Sequence, residues 1–452
     1  MALVARSAQA APEETLRFGR FGPVTVYRPA AQPAQVVLFV SGDGGWNLGV
    51  IDMASALVVQ DTLVIGIDIR RYLKSLEAAA EKCSYPAADF EALSQFVQKK
   101  LELPHYISPV LVGYSSGATL VYALLVQAPS GTFRGAISLG FCPDLPLTRP
   151  FCRGAGLNWI PGPRGKGLSF IPAEKLQTPW VAFQGTVDRV CDSAAVQAFV
   201  KQVGSAASVV LLPQVGHGFS VQRNWMPQFR EAFAHLAVPA GQEPSRPADD
   251  VQDLPLVEVA AAYPIGDTLA VMLSGDGGWA GIDKDVSSAL AGQGLPVVGL
   301  NSLEYFWTQR TPEEAGRDLE RVLRHYLQSW SKKRAILVGY SLGADVLPFM
   351  ARRLSPEILS RVTRIVLLGP GRRAEFEFHL TDWLGHSDAG RPIQPEVEAL
   401  HGPQILCVYG DEEEGSLCQT LNGGIKAVKL SGGHHFAGNY AAIARLVLEP
   451  PP

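Results

Sequence analysis

No apolar run in the 452-residue chain reaches the roughly 18–20 residues that cross a bilayer, so no transmembrane segment is expected. Charge of one sign is equally scarce. A formal net charge of −4, from 39 basic and 43 acidic residues, offers no electrostatic footprint for nucleic acid or for an anionic membrane face. Cysteine is sparse too, at six, which suits either redox setting. Two pairs nevertheless sit close together around irregular loops, Cys142 with Cys152 and Cys407 with Cys418. That placement favours disulfides, with Cys83 and Cys191 as competing partners for the first pair, and hence an exported protein. Residues 1–14 contain Ala8-Gln9-Ala10, a small-residue pattern like the tail of a secretory signal; an ordinary frayed terminus is the alternative.

The chain has a composition that is 47% apolar and 18% charged, as in ordinary globular domains, and a length that calls for two or three of them. An internal repeat decides the number. The hexapeptide SGDGGW occurs at residues 41–46 and again at 274–279. GYSSGA at 113–118 recurs as GYSLGA at 339–344, and Gly216-His217-Gly218-Phe219 as Gly433-His434-His435-Phe436. The three offsets are 233, 226 and 217, in the same order, so loops shortened in a second copy of over 200 residues. A duplicated domain follows, since solenoid repeats have periods of only about 20–50 residues. The polar, Pro-rich stretch 239–255 reads as a linker between a first domain, 15–238, and a second, 256–452.

Each copy alternates short apolar runs with helical patterns. The runs pair as 36–40 with 270–273, 63–69 with 297–300, 109–112 with 335–338, 136–139 with 365–368, 180–183 with 405–409, and 209–212 with 427–430. Helices are expected between them, for example over 88–101 and 312–329, the latter opened by Thr311 with Glu314 three residues on. Continuous apolar runs are strands covered on both faces, so each copy is an α/β domain with a mostly parallel, doubly wound sheet.

G-x-S-x-G between an apolar strand and a helix is the nucleophile elbow of the α/β-hydrolase type, and it occurs twice, around Ser115 and Ser341. The fold runs serine, acid, histidine along the chain. In the first copy Asp188, three residues past Gly185, and His217 complete the set. In the second, His434 aligns with His217. The spacing from Gly410 selects Glu413 as the acid, with Asp411 as runner-up. SGDGGW follows the strand after which this fold supplies an oxyanion donor. The backbone N–H groups of Asp43 and Ser116, and of Asp276 and Leu342, are the expected pairs. An aspartate is an odd occupant there; it either caps its own turn or, as Asp276, meets a cationic group of the substrate. Between the fourth and fifth strands of the second copy, Phe376, Phe378 and Trp383 either bind an acyl chain or the membrane surface, or pack as a small strand. A serine triad of this kind calls for no metal and no cofactor.

SGDGGW, GYSLGADV at 339–346 and the Cys407…Cys418 loop resemble the AcvB/VirJ family of bacterial virulence-associated periplasmic proteins, and the two-copy layout resembles the longer AcvB type. The resemblance spans nearly the whole chain. It implies a periplasmic hydrolase that removes the alanyl or lysyl group from aminoacyl-phosphatidylglycerol at the membrane surface, tuning membrane charge, with Ser341 as the serine tied to activity. The first copy departs from the motif, with Thr119 where the second has Asp345. The competing readings are a hydrolase-fold scaffold that binds a secretion or lipid partner, and a generic lipase or thioesterase.

Overall fold

Fully buried Val, Ile and Leu runs form the central strands of two sheets in the computed structural model, which describes residues 13–58, 60–174, 176–237, 251–378, 390–421 and 425–449. The chain divides near residue 241 into two units.

The first unit carries β1 (Glu13–Phe18), β2 (Gly22–Tyr27), β3 (Gln35–Val40), β4 (Thr62–Ile67), β5 (Val110–Tyr114), β6 (Gly135–Leu139), β7 (Trp180–Gly185) and β8 (Ala207–Leu212). Their order is β1-β2-β4-β3-β5-β6-β7-β8. The six strands from β4 to β8 run parallel, and β1 and β2 form an antiparallel edge. Every residue of β4 is buried, as parallel strands under helices require. The helix Ser116–Gln127, which follows β5, is buried on all sides from Gly117 onward and reads as apolar throughout for that reason.

The second unit repeats the scheme with β9 (Leu256–Val259), β10 (Thr268–Leu273), β11 (Val297–Leu300), β12 (Arg334–Tyr340), β13 (Val362–Leu368), β14 (Gln404–Gly410) and β15 (Lys426–Leu430), in the order β9-β11-β10-β12-β13-β14-β15. Only β9 is antiparallel to its neighbour. The helix Pro312–Ser329 opens with a capping box: Thr311 Oγ1 accepts from Glu314 N–H at 3.2 Å, and the Glu314 carboxylate accepts from Thr311 N–H at 2.8 Å.

Several expectations are corrected. The first sheet begins at Glu13, inside the segment read as an unfolded terminus; residues 1–12 lie outside the described residues. Of the expected linker 239–255, residues up to 250 lie outside the described residues, while Val251 and Leu254 are buried in the core of the second unit. Two apolar anchors in a polar stretch are enough to fasten its end. Of the two readings of Phe376 and Phe378, the packing is that of residues set on the body of the unit. Phe376 packs against Phe306 and Phe349, and Phe378 stacks on Trp307 at 5.8 Å, which leaves the two side chains 8% and 5% exposed. Trp383 lies outside the described residues.

The disulfides are Cys83–Cys152, Cys142–Cys191 and Cys407–Cys418. The expected Cys142–Cys152 pair is therefore wrong, because neighbours in sequence are not neighbours in this topology. Cys142 and Cys191 follow the adjacent parallel strands β6 and β7 and meet beyond their ends. Cys83 is brought to Cys152 by backbone pairing of Ser84, whose N–H donates to Pro150 and whose C=O accepts from Cys152 N–H. The first-unit bridges close segments of 69 and 49 residues and the third only 11. Chain-entropy reasoning gives about 4 kcal/mol for each long bridge and about 3 kcal/mol for the short one. Non-reducing peptide mapping should recover these three pairs, and reduction should lower the melting transition of the first unit more than that of the second. A Cys142–Cys152 peptide would contradict the fold of the first unit.

Candidate active sites

Both serines sit where strand turns into helix, and the turn forces them into a left-handed conformation. Ser115 has φ 55°, ψ −122° and Ser341 φ 52°, ψ −119°, a region that side chains avoid and that functional sites retain. The sharp turn presses the helix start against the neighbouring strand. A Cβ on Gly117 would collide with the carbonyls of Val40 and Ser41, and one on Gly343 with those of Leu273 and Ser274. The glycine two residues after each serine is thus fixed by close approach of backbone.

SGDGGW is the matching half of each site. Its serine is fully buried, and the hydroxyl pins the loop beyond the next strand: Ser41 Oγ accepts from Ile69 N–H at 3.2 Å, and Ser274 Oγ from Ser302 N–H at 2.8 Å. Its tryptophan lies over a glycine of that strand, Trp46 on Gly66 and Trp279 on Gly299, where a Cβ would overlap the ring. With both ends held, the middle of the hexapeptide is delivered to the nucleophile; a Cβ on Gly275 would stand 3.4 Å from that of Ser341. Among the described residues nothing accepts from the N–H groups of Asp43, Ser116, Asp276 and Leu342. Unpaired N–H groups beside the serine are what an oxyanion hole consists of.

In the first unit the remaining partners are in hydrogen-bond contact. Ser115 Oγ lies 2.9 Å from His217 Nε2, and His217 Nδ1 lies 2.9 Å from Asp188 Oδ2. Asp188 also accepts from Val190 N–H (2.8 Å), Cys191 N–H (3.0 Å) and Gln184 Nε2 (3.0 Å). Burial works against its charge. The Cys191 N–H, the His217 ring and the Val190 N–H outweigh that, and hold the carboxyl below the ordinary carboxylate range. Asp43 does not point at the oxyanion position: its carboxylate accepts from Ser116 Oγ at 2.6 Å.

The second unit is arranged alike but less closed. Glu413 holds His434 Nδ1 through one carboxylate oxygen and accepts from Gly410 N–H at 2.6 Å through the other. Burial again opposes the charge, and His434 with the Gly410 N–H keeps the carboxyl low. Asp411 points elsewhere and accepts from Gly432 N–H at 2.7 Å, so it braces the turn that carries His434. His435 meets Tyr340 Oη at 3.2 Å. Ser341 Oγ makes no hydrogen bond among the described residues, and His434 is 40% exposed against 18% for His217. Contacts of this kind are commonly loose without substrate.

Sequence reasoning missed the tyrosine of each GYS. Tyr114 Oη donates to the His217 carbonyl at 3.0 Å and Tyr340 Oη to that of His434 at 3.4 Å, tying elbow to histidine turn. Its recurrence in both copies was the available signal. Asp188, Cys191 and His217 form the grouping among the described residues with metal-ligand proximity, but the Cys191 thiol is consumed by its disulfide.

Comparison with known proteins is consistent across the chain. The model of a family described as bacterial virulence protein (VirJ) matches residues 34–135 and 267–450. No curated protein matches. Solved structures of similar fold include an alpha-beta serine hydrolase homologue from Coxiella burnetii, with 17% identity and a TM-score of 0.33 over 51% of this chain and 98% of its own. Est1E from Butyrivibrio proteoclasticus is 14% identical, with a TM-score of 0.35 over 51% of this chain and all (100%) of its own. A serine hydrolase without lid from Xanthomonas campestris is 20% identical, with a TM-score of 0.32 over 52% of this chain and 96% of its own. With the family match spanning more than half of its length and reaching into both units, the chain belongs to the bacterial virulence protein (VirJ) family.

Proposed function

We propose that this protein is a serine ester hydrolase, that Ser341 carries its main activity, and that its substrate is the aminoacyl ester of aminoacyl-phosphatidylglycerol, met at the membrane surface from the periplasmic side. The observation that carries the hydrolase reading is the closed Ser115–His217–Asp188 chain of the first unit, matched in the second by an elbow serine at positive φ and a His434–Glu413 pair, with unpaired backbone N–H groups at both elbows. Three disulfides support an oxidising compartment. Among the described residues no helix is long and apolar enough to cross a membrane. The alanyl or lysyl specificity comes from the family resemblance.

The chemistry follows from the roles. His434 Nε2 takes the proton of Ser341 Oγ as the oxygen attacks the ester carbonyl. Glu413 steadies the imidazolium and fixes its tautomer. The tetrahedral oxyanion is met by the N–H groups of Asp276 and Leu342, each worth ~3–4 kcal/mol in such a site. The imidazolium returns the proton to the glycerol oxygen, which leaves as phosphatidylglycerol. Water activated by His434 then releases the amino acid and restores the serine. Ser115, His217 and Asp188 form the same set in the first unit and supply a second ester-cleaving site.

Ser341→Ala should abolish release of amino acid from aminoacyl-phosphatidylglycerol vesicles while leaving the circular dichroism and melting transition unchanged; Ser115→Ala should have the smaller effect. Near wild-type turnover by Ser341→Ala would remove the second unit from the reaction. Loss of the orienting acid costs up to ~10⁴-fold in turnover. Glu413→Gln should therefore approach that loss, whereas Asp411→Asn should cost far less. The reverse ranking in steady-state kinetics would exchange their roles.

A further inference from the structure

The turn that follows β13 touches every part of the second site. Leu368, the last residue of β13, accepts through its carbonyl from Ser341 N–H at 3.0 Å. Gly369 has φ 59°, and a Cβ on it would stand 2.8 Å from His434 Cε1 and 3.3 Å from Glu413 Oε1, so the ring and the carboxylate rest on its backbone. The Pro370 carbonyl accepts from Ser416 Oγ at 3.2 Å and from Leu417 N–H at 3.1 Å, and Arg372 Nε donates to the Gly415 carbonyl at 3.0 Å. These bonds fasten the turn to the loop of Glu413. The last tie runs to the elbow helix: Asp345, four residues after Ser341, accepts from Gly371 N–H at 2.7 Å.

The matching turn of the first unit, Gly140–Cys142, meets the same elements through other bonds. Ser115 N–H donates to the Leu139 carbonyl at 2.9 Å, and a Cβ on Gly140, at φ 66°, would stand 3.2 Å from His217 Cε1. The acid loop is fastened by the Cys142–Cys191 disulfide, and Cys191 N–H donates to Asp188. The elbow helix is fastened by Thr119 Oγ1, which donates to the Cys142 carbonyl at 2.6 Å. Thr119 and Asp345 occupy one position, and each bonds the third residue of its turn, one at the carbonyl and the other at the N–H. Burial pushes the Asp345 carboxyl well above the ordinary range. An acceptor oxygen, not a charge, is therefore what the turn takes from it.

We infer that Asp345 is a positioning residue for the Ser341 reaction: by holding Gly371 to the elbow helix it sets the turn on which His434 and Glu413 rest, and with it the aim of His434 at Ser341. The inference deepens the hydrolase reading of Ser341 and rests on it. In this role Asp345 acts through Gly369 and needs no contact with the substrate. Without its bond the turn keeps its ties to the acid loop but is free to shift against the helix, carrying the ring with it. A displacement of about 1 Å can cost ~10²-fold in rate.

The test uses the full chain carrying Ser115→Ala, so that only Ser341 turns over, with para-nitrophenyl butyrate as substrate. Asp345→Ala should lower kcat about a hundredfold and leave KM close to the parent's, because ester binding is untouched. Asp345→Asn keeps an acceptor for Gly371 N–H without the charge, and should restore kcat to near the parent value. Ser416→Ala removes a side-chain tie at the other end of the turn and should lower kcat in the same manner, by a smaller factor. It also carries the test if circular dichroism shows that Asp345→Ala does not fold. Parent kcat in folded Asp345→Ala, or in folded Ser416→Ala where Asp345→Ala does not fold, would overturn the assignment. So would a loss carried by KM, or an Asn variant as impaired as the Ala one, since either marks a role other than holding the turn. Absence of Ser341-dependent hydrolysis in the parent would instead overturn the hydrolase reading.

Discussion

Everything near the two serines depends on one backbone constraint, a non-glycine residue held at positive φ between a buried strand and a buried helix. The conformation costs on the order of 1–3 kcal/mol and persists only where the surroundings over-determine it. Here they do. β5 and β12 sit mid-sheet, the helices after them are sunk in the core, and the glycine two residues on lets the helix start lie against the carbonyls of the adjacent strand. The same packing explains SGDGGW, whose serine and tryptophan are clamps and whose middle residues are what they hold. A pair of motifs separated by some 70 residues is thus one mechanical object, built twice.

The acids stand on loops, and loops need other means to stay in place. In each unit a disulfide closes near the acid. Cys191 lies three residues beyond Asp188 and gives it a backbone N–H, while Cys418 lies five beyond Glu413 and ties the loop back to Cys407 within β14. The solutions differ in connectivity and agree in effect, which is to hold a carboxylate against Nδ1 of a histidine on the following turn. Divergence between the copies is concentrated elsewhere, in the charge around the elbow and in the exposure of the histidine.

Much of this was legible beforehand because it is periodic or repeated. Buried parallel strands are continuous apolar runs, so all six strand pairs fall where the sequence puts them, and the elbow and histidine turns carry small-residue signatures of their own. What escaped was set by contacts distant in sequence. The antiparallel edge strands β1, β2 and β9 mix polar with apolar residues and carry no continuous apolar run. Cys142 finds Cys191 only because β6 and β7 are neighbours. Phe376 and Phe378 alternate as a half-exposed strand would, yet they are held inward by Phe306, Phe349 and Trp307.

The central claim is that one chain carries two preorganised serine nucleophiles. Treating the native protein with a fluorophosphonate and locating adducts by peptide mass spectrometry tests it directly, since only a serine activated by its histidine and facing an oxyanion hole reacts at neutral pH. The account predicts modification at Ser115 and at Ser341, lost at each site after unfolding. A native protein in which Ser115 or Ser341 stays unlabelled would contradict it.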